Sequence, residues 1–187
     1  MIRPGLKFSH LGLFVHDMQV MEDFYTRVLE FTVTDRGRLP IGTTGKFADL
    51  VFTSRDPDEH HQIVLVSGRP AEISFNIINQ LSLRADSLGT LRKMYHRFVN
   101  EKVANLTAVT HGNAISVYGL DPEGVRVELY IDTPWYVSQP IRVPLDFEMD
   151  DTALMHWAEQ HARALPGFRP RAQWRAEMAR RMGVSET

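Results

Sequence analysis

Cysteine is absent from the 187 residues. That excludes disulfides and thiolate chemistry and leaves nitrogen and oxygen donors, including eight histidines, for any metal or proton-transfer site. Long apolar runs are missing too: none approaches the ~20 residues a spanning helix needs, so no membrane segment is expected. The opening MIRPGLKFSH carries no apolar h-region, so no signal peptide is read and a cytoplasmic address is expected. A strong excess of one charge is also lacking. With a net charge of −2 there is no electrostatic case for nucleic acid. What remains is ordinary for a soluble globular chain, 43% hydrophobic and 24% charged, long enough for one domain or two small modules around a real core.

The most informative stretch is AISVYGLDPEGVRVELYID, residues 114–132. Two strands of alternating polarity flank Asp121-Pro122-Glu123-Gly124, a type I turn signal with proline second and glycine fourth. In the second strand Val125, Val127, Leu129 and Ile131 point one way, and Arg126, Glu128 and Tyr130 the other. A carboxylate on a sheet face needs water or a partner, and a metal ion is one such partner. From this strand alone, a wet face is the plainer reading.

Earlier in the chain, residues 8–15 predict a strand with Leu11, Leu13 and Val15 on one face and Phe8, His10, Gly12 and Phe14 on the other. Asp17 is placed to cap a helix over 18–29 with an apolar stripe of Met21, Phe24, Tyr25 and Val28. Strands are expected over 31–35, 47–53 and 60–67, with a loop over 36–46. Gly68-Arg69-Pro70 breaks the pattern. The order then returns: a strand over 77–85, a helix capped by Asp86 or Ser87 and running to about Val99, a strand over 103–109, and the hairpin. A shift of 70 residues lays Leu11 on Leu81, Leu13 on Leu83, Met21 on Leu91, Tyr25 on Tyr95 and Val28 on Phe98. Strand parity and helical phase are kept together, as a duplicated unit requires. The same shift sets His10 on Gln80.

The fold class is therefore α+β, two βαβββ modules over 1–68 and 69–132 with a C-terminal helical tail over 133–187. The tail starts with the proline-rich TPWYVSQPIRVP, expected to wrap rather than form a regular element. A helix over 152–164 with Asp151 as its cap and a last helix over about 172–182 follow. From Arg163 onward the tail carries six arginines against two glutamates, read first as a solvated helix face.

Two βαβββ modules, a histidine early in the first strand and a glutamate late in the last resemble the vicinal oxygen chelate superfamily, which includes glyoxalase I, extradiol dioxygenases, methylmalonyl-CoA epimerase and bleomycin-resistance proteins. SHLGLFVHDMQVMEDFY, HHQIVLV, INQLSLRADSL and THGNAISVYGLDPEGVRVELYIDTPWY are most similar to the extradiol, catechol 2,3-dioxygenase-like branch. The resemblance implies a divalent metal held by His10, Glu128 and a second histidine, where this chain has Gln80. Fe(II) is expected first, with Mn(II), Zn(II) or Ni(II) as alternatives. Glutamine donates less charge than imidazole, so this departure bears on iron chemistry; glyoxalase-like relatives do use a glutamine ligand.

The resemblance also implies catalytic roles for His61, Tyr118 and His111. Asn113 and His60 are implied as substrate-binding, with Phe8, Phe14 and Phe52 as an apolar wall for an aromatic ring. Strand parity counted back from Val64, which the repeat aligns with Glu128, favours His60 over His61 unless a bulge intervenes. The expected reaction is extradiol ring cleavage of a small aromatic vicinal diol with O2, in a homo-oligomer. The rivals are a glyoxalase- or epimerase-like lyase or isomerase, and a non-catalytic aromatic-ligand-binding protein of the bleomycin-resistance type.

Overall fold

In a computed structural model, which describes residues 5–184, the chain forms two four-stranded repeats and a helical tail. The first repeat is β1 (Leu11–Val15), α1 (Met18–Asp23), β2 (Thr32–Pro40), β3 (Phe47–Ser54) and β4 (Ile63–Ser67). The second is β5 (Gln80–Arg84), α2 (Leu88–Asn100), β6 (Ala104–Thr110), β7 (Ala114–Leu120) and β8 (Arg126–Asp132). The tail holds β9 (Trp135–Tyr136), β10 (Val143–Pro144), α3 (Asp151–Arg163), β11 (Arg169–Pro170) and α4 (Arg171–Met182). Among the described residues no helix is long and apolar enough to cross a membrane.

Both repeats have one topology. The first sheet runs β1-β4-β3-β2 with β1 and β4 parallel; the second runs β5-β8-β7-β6, also with its outer pair parallel, and gains β10 beside β6. Gly12 lies opposite Val64 in one and Ser82 opposite Glu128 in the other. The alignment of Val64 with Glu128 made from sequence is thus a matter of register.

By contact, the chain divides into two compact units. The first is Phe8–Asn79 with the hairpin tip Leu120–Val125; the second is built from Gln80–Gly119 and the chain from Arg126. In the first, Asp17 caps α1 by accepting from the Val20 amide, and the stripe Met21, Phe24, Tyr25 and Val28 is buried as its spacing requires. The helix widens at its end into a π-helical turn over Phe24–Val28, where the Leu29 amide reaches back to the Phe24 carbonyl. In the second, Ser87 is the cap of α2, which buries Leu91 and Phe98 completely. Each such side chain contributes roughly 1.5–3 kcal/mol. A Cβ at Gly119 on β7 would lie 2.5 Å from Val103, so glycine is what lets the strand pack this closely.

The structure corrects several expected boundaries. β2 runs on to Pro40 through what reads as loop. Its nine residues are mostly exposed, so TVTDRGRLP shows no apolar alternation, and pairing with β3 alone holds it. β1 starts at Leu11 and β4 at Ile63, leaving His10, His60 and His61 just outside the strands. β5 begins only at Gln80. The wrapping segment contains two two-residue strands, β9 paired with β11 and β10 with β6. The cap of α3 is Asp150, whose carboxylate accepts from the Ala153 amide, one residue earlier than predicted.

Candidate functional site

Within the second unit, β5 and β7 bring three polar side chains to one carboxylate on β8. Glu128 is only 7% exposed, against the wet face that its strand alone suggests. Its Oε1 accepts from the Tyr118 hydroxyl at 2.6 Å, and its Oε2 accepts from Ser82 Oγ at 2.6 Å and Gln80 Nε2 at 3.0 Å. Strand alternation explains the grouping: Gln80 and Ser82 share one face of β5, and Ser82 is the register partner of Glu128. A buried carboxylate with three donors is satisfied without a counter-charge.

The network continues to His111. Its Nε2 lies 2.8 Å from the Tyr118 hydroxyl and 3.8 Å from Glu128 Oε1, and its Nδ1 lies 2.6 Å from the Ile141 carbonyl. A carbonyl only accepts, so Nδ1 carries a hydrogen. Tyr118 has one proton for two contacts. Its oxygen stands between Glu128 Oε1 and His111 Nε2, so the three groups form one hydrogen-bonded chain. Burial, followed by the hydrogen bond and charge of Glu128, pushes the Tyr118 hydroxyl far above its ordinary value, so it stays a neutral donor. The turn carrying His111 depends on Gly112, whose φ is +75° and where a Cβ would lie 2.2 Å from Val137.

These groups open onto a cavity of about 400 Å³. Asn113, Tyr130 and Asp132 also line it, and so do residues absent from the sequence reading: Tyr136, Gln139, Arg171 and Trp174 from the tail. Ser82 could have been found from sequence, two residues beyond Gln80 on the same strand face. The tail residues carry no such signal. Arg171 and Trp174 sit on a basic helix read as solvated, and this corrects that reading.

In the first unit three histidines cluster. The rings of His10 and His61 are 4.3 Å apart, and His60 Nδ1 lies 2.9 Å from His61 Nδ1. Phe52 stands 5.2 Å from the His61 ring and 5.6 Å from that of His60. Because β4 starts later than predicted, strand parity does not govern the pair, and His61 is the one beside His10 without any bulge. Burial first, then the neighbouring His10 and His60, lowers the proton affinity of His61. Phe14 is largely exposed and lines a separate apolar cavity of about 300 Å³ with Ile73, Phe75 and Ile77. Phe8 is 81% exposed.

Among the described residues no group of three or more histidines, aspartates and glutamates could hold a metal ion. The donor chemistry of His10, Gln80 and Glu128 fits one: an imidazole nitrogen, an amide oxygen and a carboxylate suit first-row divalent cations. Gln80 points its N–H at Glu128, which leaves its carbonyl oxygen as the available donor. Three of about four lone-pair positions on Glu128 are taken, leaving one.

Comparison with known proteins gives three findings. The family model of the Glyoxalase/Bleomycin resistance protein/Dioxygenase superfamily matches residues 7–129. Biphenyl-2,3-diol 1,2-dioxygenase 2 of Rhodococcus globerulus is 26% identical over 157 residues, covering 75% of this chain and 77% of that protein. Among solved structures, a glyoxylase/bleomycin resistance protein/dioxygenase domain from Frankia sp. EAN1pec has a TM-score of 0.57 at 19% identity, covering 68% of this chain and 93% of its own. The fosfomycin resistance protein FosX of Listeria monocytogenes, complexed with Mn(II) and sulfate, has a TM-score of 0.51 at 18% identity, covering 71% and 95%. These two likenesses concern the fold.

Proposed function

The chain belongs to the Glyoxalase/Bleomycin resistance protein/Dioxygenase superfamily, and on that premise we propose that it is a metal-dependent ring-cleaving dioxygenase of the extradiol type, acting on an aromatic vicinal diol with O2. The observation that carries this reading is the buried Glu128, tied through Tyr118 to His111 at the wall of a cavity. The similarity to a biphenyl-2,3-diol dioxygenase supports the choice of substrate class.

His10, Gln80 and Glu128 are the residues proposed to hold the metal. When bound, a divalent cation would favour the ionised form of a diol hydroxyl. Ser82 and Tyr118 fix the orientation of the Glu128 carboxylate by donating to opposite oxygens. Tyr118 and His111 present a hydroxyl and a ring nitrogen that can donate to negative charge on a substrate oxygen. The hydrogen-bonded chain gives a proton a path between Tyr118 Oη and His111 Nε2. His61, held toward its neutral form by burial and the adjacent histidines, would accept the second diol proton, with His60 in reserve. Asn113 lines the cavity as a further polar contact, and Phe14 and Phe52 remain proposed apolar contacts.

Gln80 favours a second reading, a metal-dependent lyase or isomerase, because a neutral oxygen ligand suits a cation that need not change oxidation state. One experiment separates the two. Protein purified without oxygen is analysed for metal, then given 2,3-dihydroxybiphenyl and catechol in an oxygen electrode. About one iron per chain, oxygen uptake and a product heavier by one O2 are expected, with metal lost in His10→Ala and Glu128→Ala. Stoichiometric metal in both variants would contradict the ligand set; bound metal with no oxygen uptake would favour the second reading.

A further inference from the structure

The turn that carries His111 is held from the tail. Val137 is fully buried and lies against Gly112, whose carbonyl accepts from Trp135 Nε1 at 2.5 Å and from Thr133 Oγ1 at 3.0 Å. The Thr133 amide donates to the Asn113 carbonyl at 3.1 Å. On the other side of the turn, Val143 and Pro144 of β10 pair with Thr110 and Val109 of β6. These contacts fix the main chain of the turn and leave the imidazole to be aligned by something else.

A closed circuit of three hydrogen bonds does so. Gln139 Nε2 donates to the His111 carbonyl at 2.7 Å, the Ile141 amide donates to Gln139 Oε1 at 3.1 Å, and His111 Nδ1 donates to the Ile141 carbonyl at 2.6 Å. Both ends of one side-chain amide are used, one on each of the two residues that have to meet. Pro140 has no N–H, so the amide of Gln139 takes over where main-chain pairing between β10 and β6 stops.

The chemical consequence is a tautomer. A neutral histidine carries one ring hydrogen, and the partner of one nitrogen decides where that hydrogen sits. The Ile141 carbonyl can only accept, so the hydrogen stays on Nδ1. Nε2, 2.8 Å from Tyr118 Oη, then carries a lone pair in the neutral ring and is a donor once protonated. We infer that Gln139 is a positioning residue for His111: by bridging the His111 carbonyl and the Ile141 amide, it holds the Ile141 carbonyl against Nδ1 and keeps Nε2 as the accepting nitrogen. The inference rests on the dioxygenase reading for the step that Nε2 serves; the tautomer itself is a property of the folded chain.

Gln139→Met tests it, because methionine keeps the length of the side chain and removes both bonds. Gln139→Glu keeps an acceptor for the Ile141 amide and removes the donor to the His111 carbonyl. Gln139 is exposed, and the turn retains Trp135, Thr133 and Val137 in both variants, so both should fold. The ring 15N shifts of labelled protein supplemented with Zn(II) report the tautomer at about pH 8.5, where an ordinary histidine is neutral. The His111 signals are identified by their loss in His111→Gln. Wild-type protein should carry the hydrogen on Nδ1, and both variants should move the ratio about fivefold to tenfold toward Nε2. With catechol in the oxygen electrode, Gln139→Met should lower kcat about tenfold and leave KM within about twofold. A wild-type ring with its hydrogen on Nε2, an unmoved tautomer in Gln139→Met, or a loss confined to KM overturns the assignment. If no diol drives oxygen uptake, the dioxygenase reading fails by itself, and the 15N shifts still decide whether Gln139 positions the ring.

Discussion

The two sheets are copies in topology and differ in what stands at matched positions. In the first, Gly12 faces Val64; in the second, Ser82 faces Glu128. Val64 is buried with no polar duty, and Gly12 has no side chain to offer one. Glu128 is buried to the same extent, yet Ser82, Gln80 and Tyr118 all donate to it. The polar load of the first unit sits elsewhere, in His10, His60 and His61 just outside the strands. An interior strand tolerates a buried carboxylate only where the neighbouring strands supply donors. Only one copy has acquired them.

That contrast can be broken in order of expected effect. Making the second copy resemble the first, Glu128→Val removes the acceptor shared by Tyr118, Ser82 and Gln80. Oxygen uptake with a diol should fall by about a thousandfold or more, and metal content should drop with it. Residual turnover near the wild-type rate would mean that the carboxylate is structural. The reverse change, Val64→Glu, buries a carboxylate with no donors prepared for it. The urea midpoint should fall by an amount equivalent to about 3 kcal/mol, without a comparable change in the slope. An unchanged midpoint would show that the first sheet can supply partners after all.

The smallest effect concerns the hairpin tip that packs with the first unit. Asp121 accepts from the Glu123 and Val125 amides and from the Tyr25 hydroxyl, and burial outweighs these bonds to raise its carboxyl above the ordinary 3.8. Between 3.8 and the raised value, the folded chain holds a proton that the unfolded chain has released. The stability this group contributes is therefore present below 3.8 and lost as pH climbs through that window. Asp121→Asn cannot ionise. Measured by thermal melts, the difference between wild type and variant should move in the variant's favour as pH rises to neutrality. A difference independent of pH would mean that the carboxyl titrates normally.

Much of this architecture is legible in the chain. The alternation of residues 125–131, the caps at Asp17 and Ser87, and a shift of 70 that preserved both strand parity and helical phase are local patterns. A strand with no apolar face leaves no such pattern, which is why β2 beyond Asp35 was invisible. Within the site, Gln80, Tyr118, Glu128 and His111 could be selected as candidates because the resemblance to the extradiol branch falls on them. Ser82 was open to selection by strand alternation, two residues beyond Gln80. Trp174 and Arg171 were not, since nothing in a basic amphipathic helix says which wall it will complete.

By itself, the amino-acid order determined the repeats, their faces and the chemical types available, because backbone periodicity and donor chemistry act over a few residues. Only the tertiary structure decided that Glu128 is buried with three donors, that Tyr118 stands between it and His111, and that residues of the tail line the cavity. Those are contacts between residues distant in the chain. Their energies depend on which groups are withdrawn from water together, a property of packing that no local pattern encodes.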